Sequence, residues 1–141
     1  MVARQDSICQ RSSPGPIANQ TIASGPMSIQ IVRDPITLDE LRSIAREQFG
    51  DLVKAVVDVG QGIMAIGGEL HADEEAVLLD QGSRQADLWG INLYPEQAEA
   101  ERIEFDSMIN VRPSQGNRSR SIEDAAIQLQ IRDLVTRLVR G

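Results

Sequence analysis

The sequence predicts an α+β domain in which helices pack on one side of a mostly antiparallel sheet of four or five strands. Three observations support this fold class. Runs of β-forming residues alternate with runs of helical periodicity, in the order β-α-β-β-α-β-β-α. The links between neighbouring strand runs are short, which favours antiparallel pairing. Two of the helical runs begin with capping sequences.

Five runs define the predicted strands, because they are rich in β-branched residues and bounded by turn residues. They are Ile29–Val32, Leu52–Val59, Ile63–Gly68, Leu88–Tyr94 and Arg102–Arg112. The last run alternates apolar and polar residues throughout, which is typical of a strand with one solvated face. Gly60 and Gln61 predict a type II′ turn between the second and third strands.

Three helices are predicted from apolar periodicity. Thr37–Glu40 is a capping box that begins the first helix, and Gly50 ends it. Asp73 is the predicted N-cap of the second helix. Ser121 is the predicted N-cap of the third, in a capping box with Asp124 in the position of the usual Glu.

Residues 27–141 are predicted to form a single domain, and residues 1–26 a disordered N-terminal extension. The extension is rich in Ser, Pro and Gly and shows neither strand nor helix periodicity, so Met27 is a candidate start of the folded part. Across the whole chain 41% of residues are apolar, enough for a core. Cys9 is the only cysteine, which excludes an intrachain disulfide and favours a reducing compartment.

Charge and composition exclude several classes of protein. The net charge is −7 and aromatic residues make up 3% of the chain, so nucleic-acid binding is not expected. No apolar run approaches the roughly 18 residues of a membrane span, so no membrane partner is predicted. The N-terminal residues lack the apolar segment of a secretory signal, and a cytoplasmic protein is therefore expected.

The loop Arg112–Arg120 is the strongest candidate site, because it joins a strand to the N-terminus of a helix, where anions bind. Its arginines suit a phosphate or carboxylate group. The predicted ligand-binding residues are Arg112, Ser114, Asn117, Arg118, Ser119 and Arg120. In the alternative interpretation, Asn117 and Ser119 form local turns and the arginines pair with acidic residues.

Glu69, His71 and Asp106 form a second candidate set, of catalytic residues. His71 is the only histidine, and it titrates near neutral pH, as a general acid or base must. The two carboxylates would assist it or join it around a divalent metal, but their spacing is not diagnostic and no metal site is predicted. A catalytic role requires His71 to lie within roughly 10 Å of Asp106 or the loop. The alternative is a partly exposed histidine that precedes a helix.

Three stretches resemble a family of short prokaryotic proteins catalogued only as a domain of unknown function. They are Val53–Leu70, Asp87–Pro95 and Ile103–Arg120, and the last, IEFDSMINVRPSQGNRSR, is long and specific. The resemblance covers about Ser28–Val139. It implies no activity, cofactor or partner.

Three functions remain open at this point. The first is a binding module for a small anionic ligand, bearing phosphate or carboxylate, at the 112–120 loop. The second is a small hydrolase acting on phosphoesters through Glu69, His71 and Asp106. The third is a protein-interaction or regulatory module, including a homo-oligomer formed through an exposed sheet edge.

Overall fold

A computed structural model describes residues 20–24 and 27–141. Its strands are β1 (Gln20–Ser24), β2 (Met27–Val32), β3 (Ile36–Thr37), β4 (Val53–Asp58), β5 (Ile63–Ile66), β6 (Leu88–Leu93), β7 (Ile103–Glu104) and β8 (Val139–Arg140). Its α-helices are α1 (Leu38–Glu47), α2 (His71–Asp80) and α3 (Ala125–Leu138). Six strands form an antiparallel sheet in the order β1-β2-β5-β4-β6-β7, and β3 pairs with β8 in parallel. The predicted α+β class and antiparallel sheet are confirmed.

Helices cover both faces of this sheet. On β4, Val53, Ala55 and Val57 face the core shared with α1 and α3, whereas Val56 faces a second core shared with α2. The prediction of helices on one side holds for α1 and α3 and is wrong for α2. The physical reason is that the interior strands are apolar on both faces, so each face needs a cover.

The beginning of α1 confirms the predicted capping box. The Thr37 hydroxyl accepts the backbone N–H of Glu40 at 3.1 Å, and the Glu40 carboxylate accepts the N–H of Thr37 at 3.0 Å. Gly50 follows the helix with φ +94°, a left-handed conformation that glycine adopts without a Cβ clash.

The turn between β4 and β5 differs from the predicted type II′ turn at Gly60 and Gln61. Four residues separate the paired Asp58 and Ile63, and the positive φ of +71° belongs to Gly62. The buried carboxylate of Asp58 accepts the N–H groups of Gly60 and Gln61 at 2.8 and 3.0 Å. This side chain organises a longer turn than glycine placement alone indicates.

Helix α2 begins at His71, so the prediction of Asp73 as its N-cap is wrong. Leu70 occupies the N-cap position, and no side chain caps the helix. The carboxylate of Glu74, which is fully buried, accepts the N–H of Gly68 at 2.9 Å. The buried Glu74 side chain holds the residues before the helix in place. The first helical turn begins at His71, before the predicted cap Asp73.

Most of the predicted strand Arg102–Arg112 is not a strand. Only Ile103–Glu104 pairs with β6, and a 3-10 turn follows at Met108–Asn110. The Asn110 amide pairs with Gly90 of β6, accepting its N–H at 2.8 Å and donating to its carbonyl at 2.9 Å. A side chain therefore takes the place of a neighbouring strand, which sequence alternation cannot reveal.

Helix α3 begins at Ala125, and its N-cap is Asp124, not the predicted Ser121. The Asp124 carboxylate accepts the N–H of Ala126 at 2.8 Å. Ile122 is fully buried in the core with α1 and α3, which draws the chain inward before the helix begins.

Strand β1 lies inside the segment predicted to be a disordered extension. Gln20–Ser24 pairs with β2 over five residues. The backbone hydrogen bonds of this pairing hold these residues in a strand, where composition alone predicts disorder. The rest of that extension, residues 1–19 and 25–26, lies outside the described residues. Within the described chain, no helix combines the length and apolar character needed to cross a membrane.

Candidate functional site

A pocket of about 240 Å³ lies between the N-terminus of α2, the ends of β4 and β6, and the segment after β7. Its polar lining residues are Lys54, His71, Asn92, Asp106, Ser107 and Arg120. Its apolar lining residues are Leu70, Ala72, Met108 and Ile109. Five separate parts of the chain therefore build this pocket.

Sheet register brings two of the polar residues together. Lys54 of β4 and Asn92 of β6 are direct partners in the antiparallel ladder, and they lie on the sheet face opposite Val53. On the same face, the side chains of Ser107 and Ile109 approach Gly90 closely. A Cβ on Gly90 would lie 2.5 Å from the Ser107 Cβ, so glycine is required for this wall of the pocket.

His71 is held with a defined orientation at the start of α2. Its Nε2 lies 2.8 Å from the carbonyl oxygen of Ile91, and since a carbonyl only accepts, Nε2 carries a proton. In the neutral ring Nδ1 is therefore the basic nitrogen.

The electrostatic environment keeps the His71 ring neutral at neutral pH. Burial is the largest cause and lowers the pKa of His71, and the Lys54 ammonium lowers it further. The Ile91 carbonyl, Asp106 and Asn92 act in the opposite direction but do not outweigh burial.

Asn92 carries an unsatisfied hydrogen-bond acceptor beside the pocket. Its side-chain amide donates to the Glu104 carboxylate at 2.9 Å and to the Asp106 carbonyl at 3.4 Å. Among the described residues, its buried Oδ1 has no partner, and Asn92 is only 8% exposed. A buried acceptor left without a donor costs about 1–3 kcal/mol. A donor brought to this oxygen is therefore favoured, either from a ligand or from the protonated ring of His71, whose pKa Asn92 raises.

Positive potential reaches the pocket from α2 and β4. Within the described chain, the backbone N–H groups of His71 and Ala72 have no acceptor, and α2 has no side-chain cap. These groups give the helix N-terminus a partial positive charge. The Lys54 ammonium lies 5.2 Å from the Phe49 ring centroid, and no described carboxylate is within ion-pairing distance of it.

Arg120 reaches the pocket already paired. Its guanidinium Nε donates to the Asp106 carboxylate at 2.7 Å, and both side chains are substantially exposed. Since the two charges cancel, the attraction for an anion comes mainly from Lys54 and the α2 N-terminus.

Arg112, from the predicted anion loop, is a structural residue. Its guanidinium donates to the carbonyls of Ile109, Gln85 and Leu88, and it lies 4.6 Å from the Trp89 ring centroid. Only 9% of Arg112 is exposed. With its donors directed to carbonyl groups of the chain, this arginine ties the loop to β6.

Asn117 organises the rest of the same loop. Its amide donates to the carbonyls of Asn110, Ser119 and Ser121, and its oxygen accepts the N–H of Glu123. Every donor and acceptor of this side chain is thus used within the chain, which agrees with its 4% exposure.

The carboxylate of Glu123 occupies the place where an external anion was expected. It accepts the backbone N–H groups of Arg118 and Ser119 at 3.0 and 2.9 Å. Hydrogen bonds, first from the Ser119 side chain and then from the Arg118 backbone, lower the pKa of Glu123. These two backbone N–H groups of the loop are therefore already paired with an internal carboxylate.

The structure brings His71, Asp106 and Arg120 to the lining of one pocket. Glu69 is exposed and does not line the pocket. The other loop residues also lie outside its lining: Arg112, Ser114, Asn117, Arg118 and Ser119. No group of three His, Cys, Asp or Glu residues within the described ranges is arranged to hold a metal ion.

Sequence reasoning missed Lys54 and Asn92. Each interrupts a run of apolar residues in its strand, and this is the signal that was available. Only the pairing of β4 with β6 places the two side by side.

A sequence model of one protein family matches residues 30–138, and its description is "Protein of unknown function (DUF5674)". The matched range includes all ten residues that line the pocket. No curated protein and no solved structure matches the chain.

Proposed function

Because the chain belongs to a family whose description, Protein of unknown function (DUF5674), names no activity, we propose from the pocket that the protein binds a small ligand bearing a phosphate or carboxylate group. The observation that carries the proposal is the uncapped N-terminus of α2 beside Lys54 in one pocket. Backbone N–H groups at a helix start and an ammonium group are complementary to anionic oxygens.

The unsatisfied oxygen of Asn92 adds a requirement for the ligand. An anionic oxygen accepts hydrogen bonds from Lys54 and the α2 backbone but has no proton for Asn92 Oδ1. A ligand with a hydroxyl, an N–H or a protonated phosphate oxygen supplies that proton. The proposed ligand therefore combines an anionic group with at least one donor.

The test compares two basic residues, one at the pocket and one at the predicted loop. Phosphate and a panel of hydroxy acids are titrated into the wild type, Lys54→Met and Arg118→Ala, with melting temperature and calorimetry as readouts. At ligand concentrations of 100 times Kd, binding stabilises the native state by about 2.7 kcal/mol, which raises Tm by several degrees.

We expect Lys54→Met to abolish the shift in Tm and Arg118→Ala to retain it. The opposite result, with loss in Arg118→Ala alone, would place the anion on the loop and reject the pocket. No shift with any anion in the wild type would reject anion binding altogether.

Hydrolysis of a phosphoester is a second candidate function, favoured by the orientation of His71 beside Asp106. In this reaction Nδ1 of the neutral ring takes a proton from water, and the water oxygen bonds to phosphorus as the bond between phosphorus and the ester oxygen breaks. The ester oxygen leaves as an anion, and the imidazolium then releases its proton to that oxygen or to solvent. Turnover of para-nitrophenyl phosphate by the wild type, with loss in His71→Gln and retained phosphate binding, is the expected result. Equal rates in the two proteins would exclude this role for His71.

The protein-interaction alternative stays a prediction, and so does a homo-oligomer. Light scattering coupled to size-exclusion chromatography measures the molar mass directly. A monomer at high protein concentration would exclude the homo-oligomer.

A further inference from the structure

Two exposed apolar side chains form part of the pocket lining. Leu70 is 55% exposed and Met108 is 65% exposed, and both line the pocket together with the half-buried Ile109. Exposed large apolar residues are common when scattered singly, but apolar residues that share one concave site are typical of ligand pockets.

We infer that the ligand is an amphipathic anion, whose charged head lies at Lys54 and the α2 N-terminus and whose short apolar tail lies against Leu70, Met108 and Ile109. This inference rests on the proposed anion-binding function and specifies the class of ligand. It follows from the composition of one pocket, which has a basic, hydrogen-bonding part and an apolar part. A purely inorganic anion would leave the apolar part in contact with water.

The pocket volume limits the size of the tail. At roughly 30 Å³ for each water molecule displaced, a volume of about 240 Å³ holds about eight waters or a ligand of similar bulk. A short-chain hydroxy acid or its phosphate ester fits this volume. No aromatic residue lines the pocket to stack on a base, which disfavours a nucleotide.

The experiment measures affinity against tail length. Calorimetry of the full chain compares 2-hydroxy acids of increasing length, from lactate through 2-hydroxyhexanoate to 2-hydroxydecanoate, with the corresponding series of monoalkyl phosphates. Each buried CH₂ is expected to tighten binding about threefold to fourfold. The increase is expected to stop at the longer members, because the tail then extends beyond the pocket.

A matched pair of variants tests the position of the tail. Leu70→Ala combined with Met108→Ser removes most of the apolar lining without adding a side-chain cap to α2, whereas Leu129→Ser changes a 60% exposed leucine on α3 that does not line the pocket. We expect the double variant to lose most of the dependence of affinity on tail length. Leu129→Ser is expected to retain the dependence, and urea unfolding checks that all variants fold.

The outcomes separate the inference from the proposed function. If the shortest anions bind but affinity does not increase with tail length in either series, the amphipathic ligand is overturned and anion binding stays intact. A gain that the double variant retains would also overturn it, since the tail would lie elsewhere. A gain in only one series would identify the head group and support the inference. No binding by any carboxylate or phosphate would remove the proposed function itself.

Discussion

The Arg112–Arg120 loop and the pocket at His71 are both rich in polar residues, yet they use them differently. In the loop, Arg112 and Asn117 direct their hydrogen-bonding groups to the chain itself. In the pocket, Asn92 Oδ1 and the first N–H groups of α2 have no partner among the described residues. These residues of the two regions therefore differ in unused hydrogen-bonding capacity rather than in polar composition.

The largest expected effect comes from breaking the structural support at Asn110. Its side chain satisfies the N–H and carbonyl of Gly90 and also donates to the Arg120 carbonyl at 2.9 Å. Asn110→Ala leaves these groups unpaired, and we expect a loss of about 2–4 kcal/mol in the free energy of unfolding, measured in urea. Arg118→Ala, on the exposed part of the loop, is the control and is expected to change it by less than about 0.5 kcal/mol. Similar effects of the two changes would contradict the assigned roles.

The second largest effect comes from the close contact between Gly90 of β6 and Ser107 in the segment after β7. Gly90→Ala places a Cβ 2.5 Å from the Ser107 Cβ, and we expect destabilisation of about 1–3 kcal/mol. Ser107→Gly removes the nearest atoms, so the double variant is expected to be more stable than the sum of the two single effects predicts. Additive effects in urea unfolding would show that the contact with Ser107 is not the cause.

Glu74 provides a pH-dependent effect on the pocket side of the molecule. Burial raises the pKa of this carboxyl well above its usual value, although the N–H of Gly68 partly opposes the shift. Since the folded pKa exceeds the unfolded one, stability is fully present below the unfolded pKa and is lost as pH rises through the folded pKa. Glu74→Gln removes this loss. We expect its stability relative to the wild type to increase by about 1.4 kcal/mol per pH unit within that window.

The measurement for Glu74 is chemical denaturation at a series of pH values. Glu69→Gln, which changes an exposed carboxylate just before the same helix, is the control. A pH profile of Glu74→Gln that is parallel to that of the wild type would show that Glu74 ionises normally in the native state.

The smallest effect concerns the charges around His71. Lys54 lowers the pKa of His71 and Asp106 raises it, so Lys54→Met is expected to raise this pKa and Asp106→Asn to lower it. Because burial keeps the folded pKa below the unfolded one, the histidine contributes stability above the unfolded pKa that is lost as pH falls. NMR titration of the single histidine gives each pKa directly. Shifts of the His71 pKa in the same direction in both variants would contradict the opposite effects assigned to Lys54 and Asp106.

Much of the scaffold was predictable because it depends on local patterns. The Thr37 capping box, the apolar strands β4 to β6 and the helical stripe of α3 are each encoded within a few neighbouring residues. The prediction of a strand over Arg102–Arg112 was wrong. Its alternation is real, but the long-range pairing of Asn110 with Gly90 outweighs it.

The candidate site was predictable only in part. His71 and Asp106 were selected for their chemistry, and they do line one pocket. Lys54 and Asn92 were missed because a polar residue that interrupts an apolar strand does not by itself show whether it faces a ligand or solvent. Glu69 was selected for its proximity in sequence to His71, but the chain turns into α2 and leaves it exposed.

The sequence by itself determined the α+β class, the main strands and the residue types able to act as acids, bases or ligands, because periodicity and capping act over a few residues. Only the tertiary structure decided which polar groups are already satisfied. Hydrogen bonds such as those of Arg112 to Gln85 and Leu88 join residues more than twenty positions apart. Since a site depends on groups that remain unpaired after such contacts form, its position is a property of the folded chain.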